Sequence, residues 1–306
     1  MRRSDRKKQH HFKGWWIGLL VVVVLAGIGG AFFAFNGHHS LTTSKPQHIN
    51  LVALGDSLTE GVGDEKKQGG YVSQIKSKLE SKQNVKVSTA NYGVAGNRSD
   101  QIEKRLKTQP KFQKTLKNAD VIVMTVGGND LFQRLQQEMF VSSTTTVKKD
   151  MSTALDTYQD KLTSLMTEIR KVNPKAPLFL YSIYNPVYVY FANVSLISQS
   201  VADYNEAAKK TAQADGHAYF VDINHDLSDG QYNTKAKRAK LVKQNKNVNG
   251  QGLNLARYND VMSEQHKNSN IYISNDDHFH PNHKGYGIMT NHLYKVMMAH
   301  RDQWER

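Results

Sequence analysis

The chain has 306 residues, no cysteine and a formal net charge of +14. The missing cysteine excludes disulfides, a lipid on a lipobox cysteine and thiolate metal sites. The positive balance suits nucleic acid or an anionic surface such as a wall polymer or phospholipid, and Arg2, Arg3, Arg6, Lys7, Lys8 and Lys13 concentrate it before Gly14 against one acid, Asp5.

Residues 15–35, WWIGLLVVVVLAGIGGAFFAF, carry no charge. A helix of that length crosses a hydrocarbon core of ~30 Å. Trp15 and Trp16 stand where interfacial aromatics do, and the basic flank keeps the N-terminus inside and sends the rest out. A cleaved signal peptide is the rival reading. It needs a small-x-small cleavage site, and Phe32-Phe33-Ala34-Phe35-Asn36 is a poor one. The expectation is therefore a cytoplasmic tail (1–14), an uncleaved single-pass membrane anchor (15–35), a polar tether (36–48) and an extracytoplasmic domain (49–306).

Within 49–306, short apolar runs at Leu51–Leu54, Val85–Ala90, Val121–Val126, Leu178–Ile183 and Ala218–Val221 read as buried strands. Amphipathic stretches lie between them. The clearest places Met151, Leu155, Tyr158, Leu162, Leu165, Ile169 and Val172 at helical spacing and stops at Asn173-Pro174. A last helix follows Pro281, with Met289, Leu293, Val296 and Met297 on one face. Alternating strands and helices imply an α/β domain with a parallel sheet covered on both faces. The basic stretch 224–270, with Lys235, Lys237, Arg238, Lys240, Lys243 and Lys246, breaks the alternation. It reads as a long surface excursion, or as a cap that meets an anionic or extended substrate.

The chemistry gathers where strands end. Leu51–Leu54 runs into Gly55-Asp56-Ser57-Leu58, which puts a serine hydroxyl at the carboxyl end of a strand, where open α/β sheets bind ligands. Taken alone, the tetrapeptide also reads as a capped turn. Asn91 to Asn97 follows the second strand, and Gly96 there permits close backbone approach. Gly127-Gly128-Asn129-Asp130 follows the third and offers a side-chain amide. Near the C-terminus stands Asp276-Asp277-His278-Phe279-His280-Pro281. A serine nucleophile needs an imidazole to take its proton and a carboxylate to orient that imidazole. Asp277 and His280 have the spacing to meet within one turn. His283 is the next candidate base, and His278 falls outside the chemistry, where alanine is expected to be mild.

Together these four blocks resemble the SGNH hydrolases, the GDSL esterase/lipase family. They match in order: Gly-Asp-Ser-Leu at 55–58, glycine at 96, Gly-x-Asn-Asp at 127–130 and Asp-x-x-His-Pro at 277–281. The likeness spans about 50–300. It implies a three-layer α/β/α sandwich on a roughly five-stranded parallel sheet, flavodoxin-like in style. It also implies Ser57 as nucleophile, His280 as base and Asp277 as its orienter, with Ser57 N–H, Gly96 N–H and the Asn129 amide as oxyanion hole. No metal or cofactor is implied. The expected activity is serine ester hydrolysis through an acyl-enzyme, on a lipid, acetylated glycan or small acyl ester. The alternative is a catalytically silent wall- or lipid-binding module. An extracytoplasmic location argues against nucleic acid as partner.

Overall fold

A computed structural model describes residues 47–138, 143–249, 255–263 and 268–305. The expected tail, the anchor 15–35 and the tether up to residue 46 lie outside the described residues. Among those described, no helix is long and apolar enough to cross a membrane.

All five expected strands form: β1 (Gln47–Gly55), β2 (Val85–Gly93), β3 (Val121–Thr125), β4 (Leu178–Tyr181) and β5 (Ala218–Val221). They make one sheet in the order β2-β1-β3-β4-β5, every pair parallel. The register sets Gly55 beside Gly93 on one side and beside Thr125 on the other. Side chains alternate across the sheet, as the pleat demands. Val52, Leu54, Ile122, Met124, Leu178 and Leu180 enter one buried core. Leu51, Ala53, Val121, Val123, Phe179 and Tyr181 enter the other. The inner strands β1, β3 and β4 are apolar on both faces because helices cover both, so their runs look continuous, whereas the edge strand β2 alternates buried Val85 and Val87 with exposed Lys86 and Ser88.

The helices are α1 (Ser57–Glu60), α2 (Gly70–Lys82), α3 (Ser99–Thr108), α4 (Pro110–Lys117), α5 (Gly128–Glu138) and α6 (Thr144–Val172) in the first half. Then come α7 (Tyr188–Phe191), α8 (Ser195–Asp215), α9 (Asn224–Asp229), α10 (Lys235–Asn249), α11 (Leu255–Val261) and α12 (His283–Ala299). Helices α3 to α6 and α8 cover the first core, and α2 and α12 cover the second. The apolar stripe read from Met151 onward belongs to α6, which begins earlier than expected because Ser143 caps it by accepting from Thr146 N at 3.2 Å. Asn173 ends it. Its amide donates to Leu116 and Ala119 carbonyls while its oxygen accepts from Ala176 N at 2.9 Å.

The stretch 224–270 is not the irregular loop its composition implies. Its described part holds α9, α10 and α11. The first half of helix α10, Lys235 to Leu241, is lysine, alanine, arginine and leucine, all good helix formers, while the second half carries weaker asparagines and valines. It lacks a readable apolar stripe because, among its described side chains, Leu241 and Asn245 are the buried ones. The Asn245 side chain is satisfied there, accepting from Ala192 N at 2.8 Å and donating to Val189 O at 3.2 Å across the end of α7.

Candidate active site

The sheet order dictates where the site lies. From β1 the chain turns to β2 on one side and to β3 on the other, so a crevice opens at the carboxyl ends of β1 and β3. Ser57 follows β1 and Asn129 follows β3.

Gly55 makes the first turn possible. A Cβ there would stand 2.4 Å from the Thr125 carbonyl oxygen, so only glycine lets the ends of β1 and β3 come this close. Asp56 then caps α1, accepting from Leu58 N at 3.0 Å and from Thr125 Oγ1 at 2.7 Å. Burial pushes the Asp56 carboxyl above its ordinary pKa, against these two donors. Ser57 becomes the first residue of α1, where a backbone N–H has no partner within the helix.

The Asp277–His280 turn is built by the aspartate itself. One oxygen, Oδ1, accepts from Phe279 N and His280 N, both at 2.9 Å. The other, Oδ2, lies 2.5 Å from His280 Nδ1. The three-residue spacing thus serves both backbone and ring. His280 Nε2 in turn lies 2.7 Å from Ser57 Oγ. Burial works against the Asp277 charge, but the His280 ring and the two backbone donors outweigh it and bring its pKa down to about 2. A carboxylate so held keeps the Nδ1 proton on the imidazole and leaves Nε2 to take the hydroxyl proton.

The other candidates resolve by geometry. His283 is engaged elsewhere, with Nδ1 2.9 Å from Asp64 Oδ1, and Asp276 is exposed. His278 is fully buried with φ +55°. Alanine at His278 empties a buried position, so a cost in stability adds to the mild effect expected on turnover. Asn129 stands in the first turn of α5, and its Nδ2 donates to Asn97 O at 3.0 Å. Gly96 sits in the same loop as Asn97 with φ +78°, the left-handed region that favours glycine. The loop is tied to α5 by Gln133 on Gly96 O at 3.2 Å and by Asp130, which accepts from Ser99 N at 3.0 Å and from Ser99 Oγ at 2.7 Å. Burial raises the Asp130 pKa against those two donors.

Sequence reasoning missed Arg105. Its guanidinium donates to Gly55 O and Tyr92 O, each at 3.1 Å, and to Asn97 Oδ1 at 2.8 Å. It fastens the ends of β1 and β2 to the Gly96 loop. A basic residue in the last turn of a helix looks like dipole compensation, so no sequence signal marks it. Phe132 and Phe279 were missed as well. Both line a cavity beside Ser57 together with Leu58, Asn129, Ile183 and Tyr184. Among the described residues no group of three or more His, Asp or Glu could hold a metal ion.

Residues 53–288 match the family model of the GDSL-like lipase/acylhydrolases. The chain is 33% identical to the uncharacterized Bacillus subtilis protein YpmR over 83% of this chain and 84% of that one. It is 28% identical to the spore germination lipase LipC of Bacillus licheniformis over 54% of this chain and 76% of that one. The fold is shared with the lipase Lip_vut3 from a goat rumen metagenome, at TM-score 0.59 and 23% identity, covering 81% of this chain and 97% of that one. With its parallel five-stranded sheet and the match over most of its length, this chain belongs to the GDSL-like lipase/acylhydrolase family and is a serine ester hydrolase.

Proposed function

We propose that Ser57 attacks the carbonyl carbon of a carboxylic ester while His280 takes its proton. The observation that carries this is the unbroken series Ser57 Oγ, His280, Asp277, at 2.7 Å and 2.5 Å. The attack forms the Ser57–carbon bond and puts the carbonyl electrons on oxygen. That oxyanion is met by the N–H groups of Ser57 and Gly96 and by the Asn129 amide. His280 then returns the proton to the alcohol oxygen as the carbon–oxygen bond breaks, leaving an acyl-enzyme. Water, deprotonated by the same nitrogen, releases the acid and restores Ser57.

The enzyme works outside the cell, held by residues 15–35. The uncharged length of that segment and the basic residues before it support this reading. The relative called a spore germination lipase supports carboxylic esters as the substrate class. Helix α10, with five lysines and one arginine and no acid, makes the region 224–270 a cap that favours anionic substrates. The test of the catalytic assignment is covalent labelling. A fluorophosphonate should modify Ser57 and abolish ester hydrolysis. Modification mapped to another serine, or full activity in Ser57→Ala, overturns it.

A further inference from the structure

We propose that Phe132 and Phe279 wall off the acyl side of this site, so that the enzyme takes short acyl esters of the acetyl class and excludes longer chains. The inference rests on the catalytic reading above and names its substrate class.

The cavity beside Ser57 and Asn129 measures about 30 Å³. That is about twice the ~10–15 Å³ that one water-sized sphere needs and about a fifth of a cavity that admits benzene. It accepts a methyl group and little more. His280 does not line it. The leaving alcohol must reach His280 Nε2 to be protonated, so it departs on another side, and the cavity is left for the acyl group. The walls are apolar, chiefly Leu58, Val126, Phe132, Ile183, Pro186 and Phe279.

These walls cannot easily retreat. The Phe279 and Phe132 rings meet edge to face at 5.2 Å. The Phe279 backbone is held at both ends, donating to Asp277 Oδ1 at 2.9 Å and accepting from Tyr184 OH at 2.6 Å. Its ring also lies edge-on to His280 at 5.1 Å. Moving Phe279 therefore disturbs the pair that activates Ser57. On the opposite wall, Ile183 is fixed through its own backbone. Its N–H donates to Asn205 Oδ1 at 2.8 Å, and its carbonyl accepts from Asn205 Nδ2 at 2.9 Å. Phe132 sits about one turn beyond Asn129 on the same face of α5 and is half-buried. Its removal lengthens the cavity while leaving the hydrogen bonds that hold the Asp277–His280 turn in place.

The test uses the full-length enzyme with p-nitrophenyl acetate, butyrate and hexanoate. One methylene too many in a pocket of fixed size lowers kcat/KM by roughly 10-fold or more. The wild type should therefore lose at least about 100-fold between acetate and hexanoate. Phe132→Ala should raise the hexanoate-to-acetate ratio by roughly 10-fold or more, and Phe132→Trp should lower the butyrate-to-acetate ratio. Phe132→Leu serves if the alanine variant does not fold, and should shift the ratio in the same direction by less. A wild type that cleaves hexanoate as well as acetate overturns the wall while leaving the catalytic reading intact. So do Phe132 variants that fold and keep the wild-type ratio. A wild type that cleaves none of the three esters and takes no label at Ser57 overturns the catalytic reading itself, and this inference with it.

Discussion

At the scale of single residues, the site works as a unit and its parts fail together. Ser57→Ala and His280→Ala should each lower kcat by roughly 10⁴-fold or more, and the double variant should be little worse than either. Steady-state kinetics on p-nitrophenyl acetate measures this, and additive losses would separate the two residues. Asn129→Ala should cost less, roughly 10²–10³-fold in kcat with KM little changed, because it removes one oxyanion donor. Asp277 ties the site to stability. Its pKa falls from an ordinary 3.8 to about 2. A group depressed on folding contributes stability that is fully present above its unfolded pKa and fades as pH drops through the folded one. Wild type should therefore melt above Asp277→Asn at neutral pH, and the gap should narrow between about pH 4 and pH 2. A gap that stays constant through that window would assign the stabilisation to shape rather than charge. His278 belongs to the core, so His278→Ala should lower Tm far more than it changes kcat per folded molecule.

Among the elements, α10 stands apart. It packs by Leu241 and Asn245 and leaves Lys235, Lys240, Lys243 and Lys246 exposed. Exposed charges act at a distance that salt shortens. Changing these four lysines to glutamine should raise KM for an anionic ester, such as a p-nitrophenyl hemisuccinate, and leave p-nitrophenyl acetate hydrolysis within about twofold. Raising the ionic strength should reproduce the same selective loss in the wild type. If both esters respond alike, the helix serves the fold and not the substrate.

For the whole molecule, the basic N-terminus and uncharged segment 15–35 predict a single orientation, with the catalytic domain outside. Protease added to intact cells should digest the domain. A domain protected until lysis would reverse the topology. The domain itself, 46–306, is a compact unit by its own contacts, so its enzymology and its anchoring can be tested apart.

Local rules made much of this protein legible before folding. Five runs became five strands: the inner ones are apolar throughout because both faces are covered, and the edge strand β2 still shows buried valines at every second position. The Asp277–His280 pair was readable because three residues of backbone suffice to close it, the aspartate bonding the same turn that carries the ring. Tertiary structure alone decided the rest. Ser57 and His280 are 223 positions apart, and only the sheet order brings their loops to one crevice and leaves His283 with Asp64. The helix in 235–249 escaped notice because a helix that buries so little shows almost no periodicity. The Phe132–Phe279 contact, the Arg105 staple and the burial of His278 leave no mark at any spacing. They arise where distant surfaces meet, and their identity as wall, fastener and core residue is a property of that packing.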